Sequence, residues 1–86
     1  MATFQLTVSS PDGHLFQGDA TALMVRGTEG DLAVLAGHIP FNTAEVACAC
    51  RIQLPDGTER TGHTDGGLLT VNSDAVTLLS GSFRWE

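Results

Sequence analysis

The residues with the greatest chemical potential lie between Gly27 and Pro40, where two carboxylates, Glu29 and Asp31, flank Gly30 and an imidazole, His38, follows seven positions after Asp31. Carboxylates at a loop tip with a histidine nearby suit a metal site, an acid/base pair or a charged docking edge, and the residue types leave all three open. His14 and His63 extend the pool of nitrogen donors, and Cys48 and Cys50 add two thiols. No pair among them has the short fixed spacing of a zinc motif, so a Cys-x-Cys site completed by His38 or His63 is the weaker reading of the cysteines. Alternate residues of one strand lie too far apart for an undistorted disulfide, and buried free thiols are the expectation.

Nucleophilic catalysis has little to work with. Ser9, Ser10, Ser73, Ser80 and Ser82 all stand beside turns or near the C-terminus, none in a nucleophile-elbow context, which argues against an enzyme. Asp65, Gly66 and Gly67 could begin a phosphate cradle, but no helix follows to lend its N-terminus. The two glycines are read as permitting close packing of the strand that begins at Leu68. The net charge is −6, and the basic residues Arg26, Arg51, Arg60 and Arg84 are scattered. Nucleic acid and anionic lipid, which need clustered cations, are disfavoured as partners.

The elements that must position these groups are short strands. Phe4, Leu6 and Val8 alternate with polar residues, the period of a half-buried strand. Ser10-Pro11-Asp12-Gly13 is a turn, and His14 to Gly18 returns from it. Pro55-Asp56-Gly57 repeats that chemistry between Val46–Leu54 and Thr58–Gly62. Thr21 to Arg26, with Leu23 and Val25 inward, precedes a bulged turn at Thr28–Gly30 and a short run Asp31 to Leu35. Leu68 to Val71 and Ala75 to Leu79 flank a turn at Asn72-Ser73-Asp74. No window carries a capped helical period. An all-β, flattened antiparallel sandwich of about ten short strands is expected, as one domain over residues 1–86. Val46, Cys48, Cys50, Ile52 and Leu54 are expected to face the core. That leaves Ala47 and Ala49, with Ala44 just before them, as a bald outer patch suited to close approach of another protein. Apolar runs such as Val46 to Cys50 are too short to cross a bilayer, and no signal peptide is visible, so a cytosolic chain is expected.

The central stretch reads Gly-x-Glu-Gly-Asp-Leu-x-x-Leu-x-Gly-His-x-Pro from Gly27 to Pro40, and in this it resembles the epsilon subunit of F-type ATP synthases, the mitochondrial delta equivalent included. Phe16 with Gly18, Arg51 with Ile52, the Gly66-Gly67-Leu68-Leu69-x-Val71 element and Ala75 to Leu79 match in the same order. The resemblance implies the family's N-terminal β-sandwich and a non-catalytic place in the central stalk. There the subunit links the gamma shaft to the membrane c ring, as one copy in the complex, at the cytoplasmic face of the bacterial plasma membrane. It implies no cofactor, no metal and no insertion into the membrane. By residue match, Glu29, Gly30 and Asp31 would face the c ring, and Ser10, His38, Thr43 and Ala49 would face gamma.

Three departures stand out. Ala36 replaces a proline, Glu45 to Cys48 replaces a segment that commonly ends in Lys-Pro-Gly, and the sequence stops at Glu86 before the family's two-helix hairpin. The unusual Phe83-Arg84-Trp85 ending favours a natural short form over a truncated one. The alternative readings are a free-standing small-ligand or carbohydrate-binding sandwich, with Trp85 as its sole aromatic platform, and a metal-binding module built on Cys48, Cys50 and His38.

Overall fold

A computed structural model describes residues 2–28, 30–37, 40–72 and 75–86. Eight strands follow one another: β1 (Phe4–Ser10), β2 (Gly13–Ala20), β3 (Ala22–Gly27), β4 (Gly30–Leu35), β5 (Phe41–Gln53), β6 (Glu59–Val71), β7 (Ala75–Ser80) and β8 (Phe83–Trp85). There is no helix among the described residues. The strands hydrogen-bond in the order β2-β1-β7-β6-β5-β3-β4, with β8 added on β6. All pairings are antiparallel except β1 with β7, where Gln5 to Ser9 run alongside Ala75 to Leu79 in the same direction.

The turns follow from side chains that imitate backbone acceptors. Asp56 Oδ1 accepts from the Thr58 amide at 2.9 Å and from its hydroxyl at 2.6 Å, and Ser10 Oγ accepts from the Asp12 amide at 3.2 Å. The Thr58 bonds hold the Asp56 carboxyl below its ordinary range. Both Pro-Asp-Gly sequences therefore reverse the chain as expected.

Two expectations need correction, and they share a cause. Where the sequence suggested a strand beginning at Val46, and a break between Gly62 and Leu68, β5 and β6 are continuous strands of thirteen residues each. Halfway along, both reverse the face they bury. On β5 the inward residues are Phe41, Thr43 and Glu45 in the first half, but Cys48, Cys50 and Ile52 in the second. On β6 they are Gly62 and Thr64, then Leu69 and Val71. The two reversals meet, because Val46 pairs with Gly66 and Glu45 with Gly67. Val46 is accordingly 37% exposed instead of inward, and Glu45 is buried in its place.

Here the sheet folds over on itself into a flattened sandwich, the long strands serving both layers through a bend. Counting the halves separately gives the ten short strands of the sequence reading. The glycines make the bend possible. A Cβ at Gly66 would stand 2.9 Å from the Glu45 carbonyl oxygen, and one at Gly67 would overlap the Leu79 carbonyl oxygen. The close approach expected of this pair is therefore observed, although no new strand begins there.

The core between the layers holds Phe4, Leu6 and Val8 from β1, Leu23 and Val25 from β3, Val34 from β4, Cys50 and Ile52 from β5, Leu69 and Val71 from β6, and Val76 and Leu78 from β7. Each fully buried aliphatic side chain contributes about 1.5–3 kcal/mol of transfer free energy. The C-terminal residues are tied down as well. Trp85 packs edge-on to Phe83 at 5.1 Å and to Phe16 at 6.3 Å, and the Arg60 guanidinium lies 3.8 Å above its ring. His63 Nε2 and Glu86 Oε2 stand 2.9 Å apart.

Candidate docking surfaces

Asp31, the second residue of β4, stands directly opposite Arg26 on β3, whose Nε donates to its Oδ1 at 3.0 Å. The two side chains are 82% and 60% exposed, so this is a surface ion pair worth less than about 1 kcal/mol. Gly30 beside it is exposed and takes a φ of +126°. Asp31 is thus held in solvent, as expected of a turn carboxylate, with Arg26 as its partner. Glu29 and His38, the other two chemistry-bearing residues of the central stretch, lie outside the described residues.

Three shallow depressions receive the remaining candidates. Gly30, Asp31 and Thr43 line one of about 540 Å³, which runs between the β3–β4 tip and the first half of β5. Asp31 and Ala49 border a second of about 450 Å³, whose floor holds Ala47 and Cys48. The small-residue outer face is thus a groove edged by Arg26, Asp31 and Arg51. Ser10 stands elsewhere, in a third of about 500 Å³ with Pro11, Leu68 and Leu79. Asp31 lines both of the first two depressions, with Gly30 and Thr43 in one and Ala49 in the other, and Ser10 lies in neither.

Sequence reasoning missed the two leucines beside Ser10. Leu79 pairs with Leu68 across β7 and β6, Ser9 flanks Leu79 on β1, and Ala44 flanks Leu68 on β5. Leu68 is 45% and Leu79 49% exposed, so with Ala44 an outward apolar strip crosses three strands, about 10 Å at the usual strand spacing. The doubled leucines Leu68-Leu69 and Leu78-Leu79 carried the signal, since adjacent residues of one strand point to opposite faces.

The thiols behave as packing groups. Cys48 Sγ accepts from the Arg26 amide at 3.3 Å, and burial, with Glu45 and Cys48 nearby, pushes the Cys50 thiol up to about 12. Cys50 is therefore protonated at neutral pH and unsuited to nucleophilic or ligand chemistry. Among the described residues no three His, Cys, Asp or Glu side chains converge as a metal site would need. His14 Nδ1 lies 2.7 Å from Ser9 Oγ. Trp85, with Arg60 over one face, is not an open platform.

A family model described as "ATP synthase, Delta/Epsilon chain, beta-sandwich domain" matches residues 3–86. The chain belongs to that family. Among delta/epsilon-chain relatives it is 41% identical over 80 residues to the ATP synthase epsilon chain of Psychrobacter cryohalolentis, a match that covers 93% of this chain and 58% of that one. It is 38% identical over 80 residues to the epsilon chain of Acinetobacter baylyi, with the same coverage. The chain thus spans 58% of the length of these curated relatives.

Two solved structures have the same fold. One, from the Euglena gracilis mitochondrial ATP synthase with its c-ring, superposes with a TM-score of 0.93 at 23% identity, over 99% of this chain and 54% of that one. The other, from the central stalk and c-ring of the Tetrahymena thermophila mitochondrial ATP synthase, gives 0.79 at 9% identity, over 93% and 64%. The fold is therefore shared across large sequence distances.

Proposed function

We propose that the chain is a non-catalytic central-stalk subunit of an F-type ATP synthase, standing between the gamma shaft and the membrane c ring so that ion flow and shaft rotation stay coupled to ATP synthesis. The observation that carries this reading is the outward strip of Leu68 and Leu79 beside Ser10, on a chain whose residues 3–86 belong to the delta/epsilon sandwich family. Two leucines about half exposed at the centre of a sheet face are costly in water and suit burial against a partner.

On this reading gamma covers the strip at Ser10 and also contacts Thr43, Ala49 and His38. The c ring meets the turn of Glu29, Gly30 and Asp31. A sheet held by continuous hydrogen-bonded ladders is stiff, which is what transmitting torque between two gripping proteins requires. The chain acts as one copy per complex and uses no cofactor. No described helix is long and apolar enough to cross a membrane, so attachment at the cytoplasmic face of a bacterial membrane would come through the partners.

The test is reconstitution. Asp31→Arg combined with His38→Ala should uncouple ATP hydrolysis from ion pumping in the assembled enzyme. Leu79→Asp should weaken gamma binding at least about tenfold, as expected for losing a buried apolar anchor. Circular dichroism establishes that each variant is folded. Unchanged coupling and unchanged gamma affinity in folded variants would overturn the reading.

A further inference from the structure

Glu45 sits where both long strands reverse the face they bury, and it is enclosed without a partner. It is 6% exposed, and both carboxylate oxygens are closed off from solvent with no hydrogen bond. A protonated carboxyl tolerates such a place far better than an ionised one, which gives up its hydration and gains nothing in return.

The two strands that flank it differ in how firmly they are held. On the β6 side its pair is Gly67, where a Cβ would overlap the Leu79 carbonyl oxygen, so the backbones there are tightly packed. On the β3 side its pair is Gly27, where a Cβ would meet nothing nearer than the Ala44 carbonyl oxygen at 3.6 Å. The β3–β5 ladder is also broken there. It runs from Ala22 with Gln53 to Met24 with Arg51, and resumes only at Gly27 with Glu45. In between, the five residues Val46 to Cys50 stand opposite Val25 and Arg26 alone, an irregularity of the kind at which strands bend. The Arg26 amide in this gap donates to Cys48 Sγ at 3.3 Å, and sulfur is a weak acceptor. Beyond the gap β3 and β4 stay paired with each other as far as Gly27 and Gly30, so the tip can move as one piece.

We propose that this tip, Val25–Gly27 with Gly30–Leu32, is a flap whose closure is coupled to a proton: it lies shut over Glu45 while the carboxyl is protonated, and ionisation of the carboxyl drives it open about the gap after Met24. Val25 must leave the core for the flap to lift, which keeps the open form a minor one. Gly30 and Asp31 ride on the flap, and the depression of about 540 Å³ between it and the first half of β5 changes shape as it moves. The flap opens in the isolated chain, whatever docks at Asp31.

No described cation offsets the charge that Glu45 would carry. Its pairs on β3 and β6 are glycines, and the buried residues of β1, β4 and β7 are uncharged. Arg26 on β3 and Asp31 on β4 are exposed and bonded to each other, and Arg51 on β5 is bonded to Glu59. Asp65 on β6 is exposed and accepts from the Ser82 amide. On its own strand Cys50 stays a neutral thiol, pushed up to about 12 by burial and by the nearby Glu45 and Cys48. Burial alone raises the Glu45 carboxyl to about 7, so the flap responds between mildly acidic and mildly alkaline pH.

Cys50 reports the opening, because it is fully buried at the end of the unpaired stretch and within range of the Glu45 charge. The experiment is alkylation of Cys50 by iodoacetamide in the folded chain carrying Cys48→Ser, which leaves one thiol and keeps an acceptor for the Arg26 amide. Rates at pH 6 and pH 8, without urea and in low urea, are divided by those of the same chain fully denatured, which removes the thiol's own pH dependence. A carboxyl that titrates at about 7 when shut and at 4.5 when open raises the opening constant about tenfold between these pH values. With Glu45 in place the normalised rate should rise about tenfold from pH 6 to pH 8 and should not respond to low urea, since the flap exposes little surface; with Glu45→Gln it should rise less than about twofold. Labelling that occurs only through global unfolding, or an equal rise in Glu45→Gln, overturns the flap. Should Glu45→Gln not fold, the chain with Glu45 decides alone: urea-independent labelling that grows from pH 6 to pH 8 sustains the flap, and any other pattern overturns it.

Discussion

Replacing Glu45 with glutamine should flatten the dependence of the isolated chain's stability on pH. Burial raises the carboxyl from 4.5 to about 7, and the side chain is 6% exposed, so solvent screening removes little of the effect. An acid whose value is raised on folding binds its proton more tightly in the folded state. Its cost is therefore absent well below pH 4.5, grows as pH rises from 4.5 to about 7, and is complete above that. At ~1.36 kcal/mol per unit, the full penalty is about 3.4 kcal/mol, of which ~2.5 kcal/mol develops between pH 5 and pH 8. A chain of this size has a total stability of roughly 4–13 kcal/mol, so the change is large enough to read by urea denaturation. The amide of Glu45→Gln is as unpartnered at one pH as at another, and the difference between native and variant isolates the ionisation from the histidines. Native stability that falls no faster than that of Glu45→Gln across this range would refute the reasoning.

Other outcomes follow from the packing. Gly67→Ala should destabilise by on the order of 1–3 kcal/mol or more, because its Cβ overlaps the Leu79 carbonyl and two backbones must part; a thermal melt checks it. Trp85→Ala should cost ~2–4 kcal/mol by removing the ring against which Arg60, Phe16 and Phe83 pack, measured by the shift in denaturation midpoint. Asp31→Asn should change stability by less than about 1 kcal/mol, since the Arg26 pair is solvent-exposed; a larger loss would mean that the corner is structural and not a surface for docking.

Much of this architecture could be read from residue order, and the parts that could not share a physical reason. Phe4, Leu6 and Val8 alternate with polar neighbours, so their face is fixed without coordinates, and the Pro-Asp-Gly turns place two reversals. From Val46 to Cys50 every residue is small or apolar, so a period of two has no visible phase and the bend leaves no trace. Only the glycine pair opposite hints at it, and that pair reads equally well as a strand start. Glu45 follows the same logic, since a carboxylate ordinarily marks the outer face and its burial depends on a reversal invisible in the sequence. Of the candidate docking residues, Asp31 was legible as a solvated turn carboxylate, whereas the grooves joining it to Thr43 and Ala49 arise from contacts between distant strands.

The parallel ladder between β1 and β7 also governs how this molecule comes into being. Gln5 waits for Ala75, seventy positions later, before the first strand gains its second neighbour. During synthesis the opening hairpin must persist with one edge bare until Ala75 to Leu79 have been made, and closure of that loop comes late and slowly. A product cut short of β7 leaves the inner edge of β1 as an open row of backbone donors and acceptors, the kind of edge that recruits other strands.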